Sequence, residues 1–479
     1  MMNIENELDA ARKNALRYII TTQKKDGSWS GPYSSRLRET VLANLIAKIA
    51  GWKEISQATE TWINEHPEPF GVSELELALN TALLDILRRK SLLIPHEQFM
   101  QRDLVRKYLM IYAIGILLNI NFPTDTQQLV AKILTRIEEE LKANTTLKPW
   151  ARSEFLSFLI ICCDRDDLIE ELLKLEGDSG SWFNNTATTA IALLSISRHQ
   201  RIQFNSYYQF FKENMQQDGG YSYAPIENWD TGLTLQILAE QPDQDDIISK
   251  AISYLELSQN PDGGWGFTKA TPSESDTTSI VVRALQILGE DRLKSKALNF
   301  LKSVQFTTGE YKGLWPVWDQ SEMPSIEVVA HVAEVFSHEG FDVSHAVSWL
   351  TNKVLTDSWM PVWGRSSAYA ASAILATIGN KRARSIICKH ILSTQLKDGG
   401  WPSVHGESSN ASATGNALAA LRLLDSPEQK IKRSGMEYLI RNQLENGTWP
   451  EVREVVGPRP YSYSDQMSTH YFALNPLLL

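Results

Sequence analysis

Four side chains in this 479-residue sequence have the types and spacing for proton chemistry: Glu274, Asp276, Glu327 and His331. Glu274 and Asp276 stand two positions apart in Pro272-Ser273-Glu274-Ser275-Asp276-Thr277-Thr278. Glu327 precedes His331 by four residues in Pro324-Ser325-Ile326-Glu327-Val328-Val329-Ala330-His331. A helix would set those two on one face, one turn apart, where Glu327 could orient the imidazole. A carboxyl held by an imidazole works as a general acid if its surroundings are dry enough to keep it neutral. Position alone also allows plainer roles. Asp276 precedes Thr277-Thr278-Ser279-Ile280 and could cap a helix. His331, between Ala330 and Val332, could be a satisfied core residue.

Other chemistries find less support. Cys162, Cys163 and Cys388 have no CxxC spacing and lie near no Asp and His pattern that would bind zinc. This argues against a zinc-dependent protein prenyltransferase, and no metal ligands are assigned. Adjacent Cys162 and Cys163, in an apolar run, read as buried small hydrophobes and fit a reducing, cytoplasmic setting. No Asp-Asp-x-x-Asp helix motif for ionising a diphosphate is visible. Literal Asp-x-Asp-Asp runs at Asp164-Arg165-Asp166-Asp167 and Asp243-Gln244-Asp245-Asp246 lie in polar segments and read as solvated loops and N-caps. A net charge of -10 without long like-charge runs argues against nucleic-acid binding. The first residues show no signal peptide. Tyr108–Leu118 is too short to span a bilayer and suits a buried helix, which still leaves room for peripheral membrane contact.

The elements that must position these residues are legible as a repeat. Gln23-Lys24-Lys25-Asp26-Gly27-Ser28-Trp29 returns as Gln259-Asn260-Pro261-Asp262-Gly263-Gly264-Trp265, as Gln395-Leu396-Lys397-Asp398-Gly399-Gly400-Trp401 and as Gln443-Leu444-Glu445-Asn446-Gly447-Thr448-Trp449. Looser copies end at Trp182, Tyr221, Trp315 and Trp359. The later copies recur at roughly 45 residues, a period typical of helical repeats. Each good copy follows one amphipathic stretch and precedes another, so the unit is helix, Gly-rich turn with Trp, helix. Helix pairs of this length can stack into a solenoid or close into an α/α barrel, and four to six pairs in the C-terminal half suit a closed barrel. The fold class is therefore all-α. The Gln amide is expected to bond exposed backbone at a neighbouring helix end, with the indole stacked over it.

These repeats resemble the QW repeats of squalene–hopene cyclases and related class II terpene cyclases. The resemblance covers most of the chain and is strongest over about residues 226–405. Glu227-Asn228-Trp229-Asp230-Thr231-Gly232-Leu233 is similar to the family's Trp-Asp-Thr-Gly/Ala-Leu segment, with Asp230 read as a helix N-cap. Pro272-Ser273-Glu274-Ser275-Asp276-Thr277 falls at its Pro-x-Asp-x-Asp-Asp segment, in register with Ala284-Leu285 downstream. Asp276 then holds the place of the middle Asp, the family's proton donor. Glu274 and Thr277 replace the outer two. Pro324–His331 resembles the segment whose His bonds to the acid. Ser358-Trp359-Met360-Pro361-Val362-Trp363-Gly364 and Tyr369 resemble a wall of aromatics, and Tyr461, Tyr463 and Tyr471 are similar to a second one.

The resemblance implies two α/α barrels in a βγ-type didomain: residues 1–30 with 228–479 as the catalytic barrel, and 31–227 as the other. It implies protonation of an isolated alkene. An alkene is a far poorer base than water, so the acid must be neutral in an apolar site, with its spare oxygen held by His331. The cation that follows needs aromatic faces, each worth about 2 kcal/mol when desolvated. Phe267, Trp318, Trp363 and Tyr369 are candidates, with Trp265 and Thr277 beside them at the substrate. The short N-terminal half puts a C30 substrate in doubt, and the resemblance to short two-barrel relatives implies a C15–C20 prenyl diphosphate, with squalene, a prenylated aromatic and an epoxide left open. Protonation needs no cofactor, and Mg2+ enters only with a diphosphate. The partner is a small isoprenoid. The competing reading is a helical-repeat binding protein without catalysis.

Overall fold

The structure, a computed structural model, describes residues 4–90, 102–143, 147–177, 180–197, 203–269 and 271–478. The chain forms two compact units: Met1–Pro32 with Ile226–Val456 and Ser464–Leu479, and Tyr33–Pro225 with Gly457–Tyr463.

In the first unit, six inner helices close a ring: α1 (Glu227–Leu238), α2 (Ser275–Leu288), α3 (Ile326–His338), α4 (Ser367–Leu375), α5 (Ala411–Leu423) and α6 (Gln466–Leu478). Each packs against the next, and α6 returns against α1. Outer helices Asp245–Ser258, Asp291–Val304, Ser344–Leu355, Lys381–Thr394, Gln429–Arg441 and Ile4–Thr22 back them. Sequence pattern separates the two rings. Asp291–Val304 buries one stripe, Leu293, Ala297, Leu298, Phe300 and Leu301, as a surface helix must. By contrast, α5 is buried on nearly every side and is rich in Ala, Ser, Thr and Gly. A Cβ on its Gly415 would lie 1.9 Å from the Phe472 carbonyl oxygen, so only glycine allows α5 this close to α6.

The repeated turns explain how the rings are joined. In the Asp262-Gly263 turn, Gly263 takes φ +92°, and the Asp262 carboxylate accepts from the Gly264 N–H. The Gln259 amide donates to Gly263 O and to Leu293 O on the next outer helix. Gln23, Gln395 and Gln443 do the same with Ile247, Ile431 and Ala11. The indole does more than stack. Nε1 of Trp29, Trp265, Trp401 and Trp449 donates to the carbonyl ten residues earlier. That carbonyl lies in the last turn of the preceding outer helix, where the helix supplies it no backbone N–H.

In the second unit, inner helices Leu37–Ala50, Glu74–Leu87, Arg102–Leu117, Pro149–Cys163 and Thr186–Ile196 also close a ring, with its own apolar core. The Tyr108–Leu118 stretch lies within or beside Arg102–Leu117, and among the described residues no helix is long and apolar enough to cross a membrane.

Three expectations need correction. Gly457–Tyr463 groups with the second unit instead of the 228–479 barrel. Arg36 donates to Gly457 O and lies over Tyr461 and Tyr463, so these tyrosines pack on guanidinium there. Cys163 is exposed, because it closes its helix at the surface. Asp230 is inside α1 and accepts from the Gly31 N–H, so it is not the N-cap.

Candidate active site

The first turn of α2 is clamped from three sides. The Glu274 N–H donates to Trp265 O, the Trp265 N–H donates to Thr278 Oγ1, and the Ser275 N–H donates to Val317 O. Glu274 is the N-cap, and its carboxyl accepts from the N–H groups of Asp276 and Thr277 at 2.6 and 2.7 Å. Glu274 therefore does the capping that Asp276 could have done, and the Asp276 side chain is released for another partner.

That partner is His331 of α3. Its Nδ1 lies 2.7 Å from Asp276 Oδ1, with the two side chains 12% and 13% exposed. Among the described residues no other donor reaches this carboxyl. Burial alone would lower the His331 pKa, but the charge and hydrogen bond of Asp276 outweigh it and raise it. Burial, and then the charge of Asp276, push the Glu274 carboxyl well above the usual carboxylate range. Both shifts favour the protonated forms of Glu274 and His331.

Glu327 does not orient His331. Its Oε1 accepts from the N–H groups of Val362 and Trp363 at 2.7 and 2.5 Å, which ties α3 to the loop before α4. Helical spacing put Glu327 and His331 on one face, but two convergent backbone donors are a better partner for a buried carboxyl than one imidazole edge. Burial raises the Glu327 pKa.

The predicted aromatics fall into two sets. Tyr369 meets the His331 ring edge-on at 5.9 Å and lines a cavity of about 130 Å³ inside the ring of inner helices. Trp229, Phe472 and Tyr471 share that cavity. Phe267 and Trp318 form a separate T-shaped pair at 5.9 Å, and neither lines the cavity. Trp363 is half-buried and also outside it. Two residues expected beside the substrate have partners within the protein. Trp265 is fully buried, its indole spent on Leu255 O, and it positions α2 through its backbone. Thr277 is buried against Glu274.

Trp229 was quoted in the sequence without a role. It lies 6.4 Å from the His331 ring. The signal was available: Trp229, Leu233 and Gln236 recur at i, i+4 and i+7 and form one lining stripe of α1. The literal Asp-x-Asp-Asp runs are remote from this chemistry. Asp167 pairs with Arg165 at the surface, while Asp245 and Asp246 open an outer helix behind Gln244. Among the described residues no group of three or more His, Cys, Asp or Glu could hold a metal ion.

A family model, the prenyltransferase alpha-alpha toroid domain, matches residues 122–239 and 231–449. Drimenyl diphosphate synthase of Streptomyces showdoensis is 24% identical over 337 residues, covering 65% of this chain and 62% of that protein. Squalene–hopene cyclase of Alicyclobacillus acidocaldarius subsp. acidocaldarius is 26% identical over 350 residues, covering 59% and 55%. The chain thus spans less than two thirds of the length of either curated relative. In three dimensions it is similar to ent-copalyl diphosphate synthase from Streptomyces platensis, with TM-score 0.60 and 18% identity over 98% of this chain and 94% of that one, a likeness of fold.

Proposed function

The chain belongs to the prenyltransferase alpha-alpha toroid family, and from that membership we propose that it is a class II terpene cyclase that protonates an alkene of a linear polyprenyl substrate. The observation that carries this reading is the 2.7 Å bond between Asp276 and His331 at a helix start already capped by Glu274. Glu274 spends both oxygens on backbone donors, whereas Asp276 keeps Oδ2 for a substrate. The acid gives its hydrogen to one alkene carbon, and the cation forms at the other. His331, donating to Oδ1, stabilises the carboxylate left behind. Neighbouring double bonds then close rings, and loss of a proton ends the sequence. Tyr369, Phe267, Trp318 and Trp363 supply aromatic faces for the moving charge.

The substrate is proposed to be a C15–C20 prenyl diphosphate that keeps its head group. The names of drimenyl and ent-copalyl diphosphate synthases among the relatives favour this choice. Mg2+ would enter only with the diphosphate, and no step here passes through a metal. The proposed setting is the cytoplasm, in keeping with three unpaired thiols, free or against a membrane face.

The test is incubation of the full chain with farnesyl diphosphate, geranylgeranyl diphosphate, squalene and a prenyl epoxide, with and without Mg2+, beside Asp276→Asn. Cyclic product that disappears in the variant supports the reading. Product at an unchanged rate from Asp276→Asn removes the acid. No product from any substrate favours a helical-repeat binder.

A further inference from the structure

The second unit holds a cavity of its own, and no step of the proposed chemistry uses it. Its volume is about 320 Å³, against about 130 Å³ for the one beside Tyr369. Small ligands usually sit in cavities of roughly 300–1,000 Å³ with apolar walls and a few placed polar groups. This one lies at one end of three neighbouring inner helices, Arg102–Leu117, Pro149–Cys163 and Thr186–Ile196. Leu117, Ile160, Ile161, Leu194 and Ser195 line it, and each stands within the last four positions of its helix. The wall is therefore mostly apolar. The negative ends of three helix dipoles also converge on it.

The rim carries the same sign. Asp164 ends Pro149–Cys163 in the left-handed conformation at φ 51°, and Asp166 opens the short helical turn that follows. Both are exposed, and both line the cavity. They belong to the literal Asp164-Arg165-Asp166-Asp167 run, which the proton chemistry leaves unused. The base in that run is engaged elsewhere: Arg165 pairs with Glu138 at 2.5 Å and with Asp167 at 2.7 Å. Among the described residues no Lys, Arg or His lines the cavity.

An apolar hollow that ends in carboxylates and helix C-termini selects by charge. A prenyl diphosphate would set its phosphates against the negative rim, so the cavity is not a second seat for the proposed substrate. A neutral hydrocarbon would leave the rim unused. An apolar body with a cationic end suits both parts. The body packs on Leu117, Ile160, Ile161 and Leu194, and the charge meets the two carboxylates. The volume has room for about ten water-sized groups at roughly 30 Å³ each, which suits about eight carbons and one ammonium. We propose that this cavity binds an organic ammonium ion with an apolar body, held at the rim by Asp164 and Asp166. The site goes beyond the cyclase reading and does not depend on it.

The probe is octylammonium, with octan-1-ol and octanoate as its neutral and anionic counterparts. In the full chain, labelled with 13C at Ile and Leu methyl groups, the Ile160, Ile161 and Leu194 signals should shift on titration with octylammonium. A net charge of -10 draws any cation to the protein, so variants must locate the effect. Asp164→Asn combined with Asp166→Asn should weaken octylammonium about tenfold, the worth of two ion pairs. Asparagine keeps the size and tolerates the left-handed backbone at 164. Asp245→Asn combined with Asp246→Asn removes two charges from the other literal run, in the first unit, and should change the affinity less than twofold. Octan-1-ol should bind at least tenfold more weakly than octylammonium, and octanoate more weakly still. Ser195→Phe, if folded by circular dichroism, should abolish the shifts by filling the wall. The two asparagine pairs, all at exposed positions, decide the matter without it. No shift of these methyls at millimolar octylammonium overturns the site. Equal weakening by both asparagine pairs, or octan-1-ol binding as tightly as octylammonium, overturns the choice of a cation.

Discussion

Glu39 and Glu274 belong to different units and meet opposite fates. Each is a buried carboxyl at the start of an inner helix. Around Glu39, burial opposes charge, but Arg36 and Arg38 at 2.7 and 2.5 Å overcome it and hold the pKa at about 2. Among the described residues no guanidinium is paired with Glu274; burial and then the charge of Asp276 outweigh the Thr277 hydroxyl and the backbone N–H groups, and the pKa moves up to about 8. Burial is the same, so the partner decides the protonation state. One barrel buries a fixed ion cluster. The other favours the protonated form of its carboxyl.

The contrast can be broken or sharpened in order of expected effect. Asp276→Asn should cost about 10²–10⁴-fold in the rate of cyclic product, the usual worth of a general acid, with folding unchanged by circular dichroism. An undiminished rate would leave the raised Glu274 without a catalytic meaning. Glu39→Gln should cost about 3–5 kcal/mol in denaturant unfolding, because it strands two buried guanidiniums. A loss below 1 kcal/mol would show that the cluster is not held as a charged unit. Trp265→Phe should cost about 1 kcal/mol by taking the shorter of two donors from Leu255 O, and should lower activity by loosening α2.

Glu274→Gln should cost about 1 kcal/mol at neutral pH as a weakened cap, well below Glu39→Gln. Its pH dependence carries the sharper signature. Glu274 binds its proton more tightly folded than unfolded, so the stability it adds is full below its ordinary value near 4.5 and is lost as pH rises through about 8. The wild-type Tm should therefore fall across that window, and the variant should fall less. His331, also raised above 6.5, adds in the same direction. Smallest of all, Asp166→Asn and Asp245→Asn should change stability by less than about 0.5 kcal/mol, as surface substitutions do, and leave product formation untouched.

Much of this was legible because it is local. Gln, Asp-Gly and Trp are close in the chain, and the indole reaches back only ten residues, from Trp265 to Leu255. Such a turn has one workable geometry, so its recurrence specified helix pairs and then an all-α barrel. The Asp276–His331 pair spans 55 residues, yet it was legible through the resemblance to cyclases.

Side-chain direction was decided elsewhere. Helical spacing placed Glu327 and His331 on one face but could not reveal the Val362 and Trp363 N–H groups, 35 and 36 residues away, that claim Glu327. It could not show that Trp265 is spent within its own turn, or that Tyr461 lies against Arg36 and Arg38. A sequence determines which groups a helix carries and how often they recur. Only tertiary packing decides which of them find partners, because a buried polar group goes to the nearest convergent donors or opposite charge, and those arrive from distant parts of the chain.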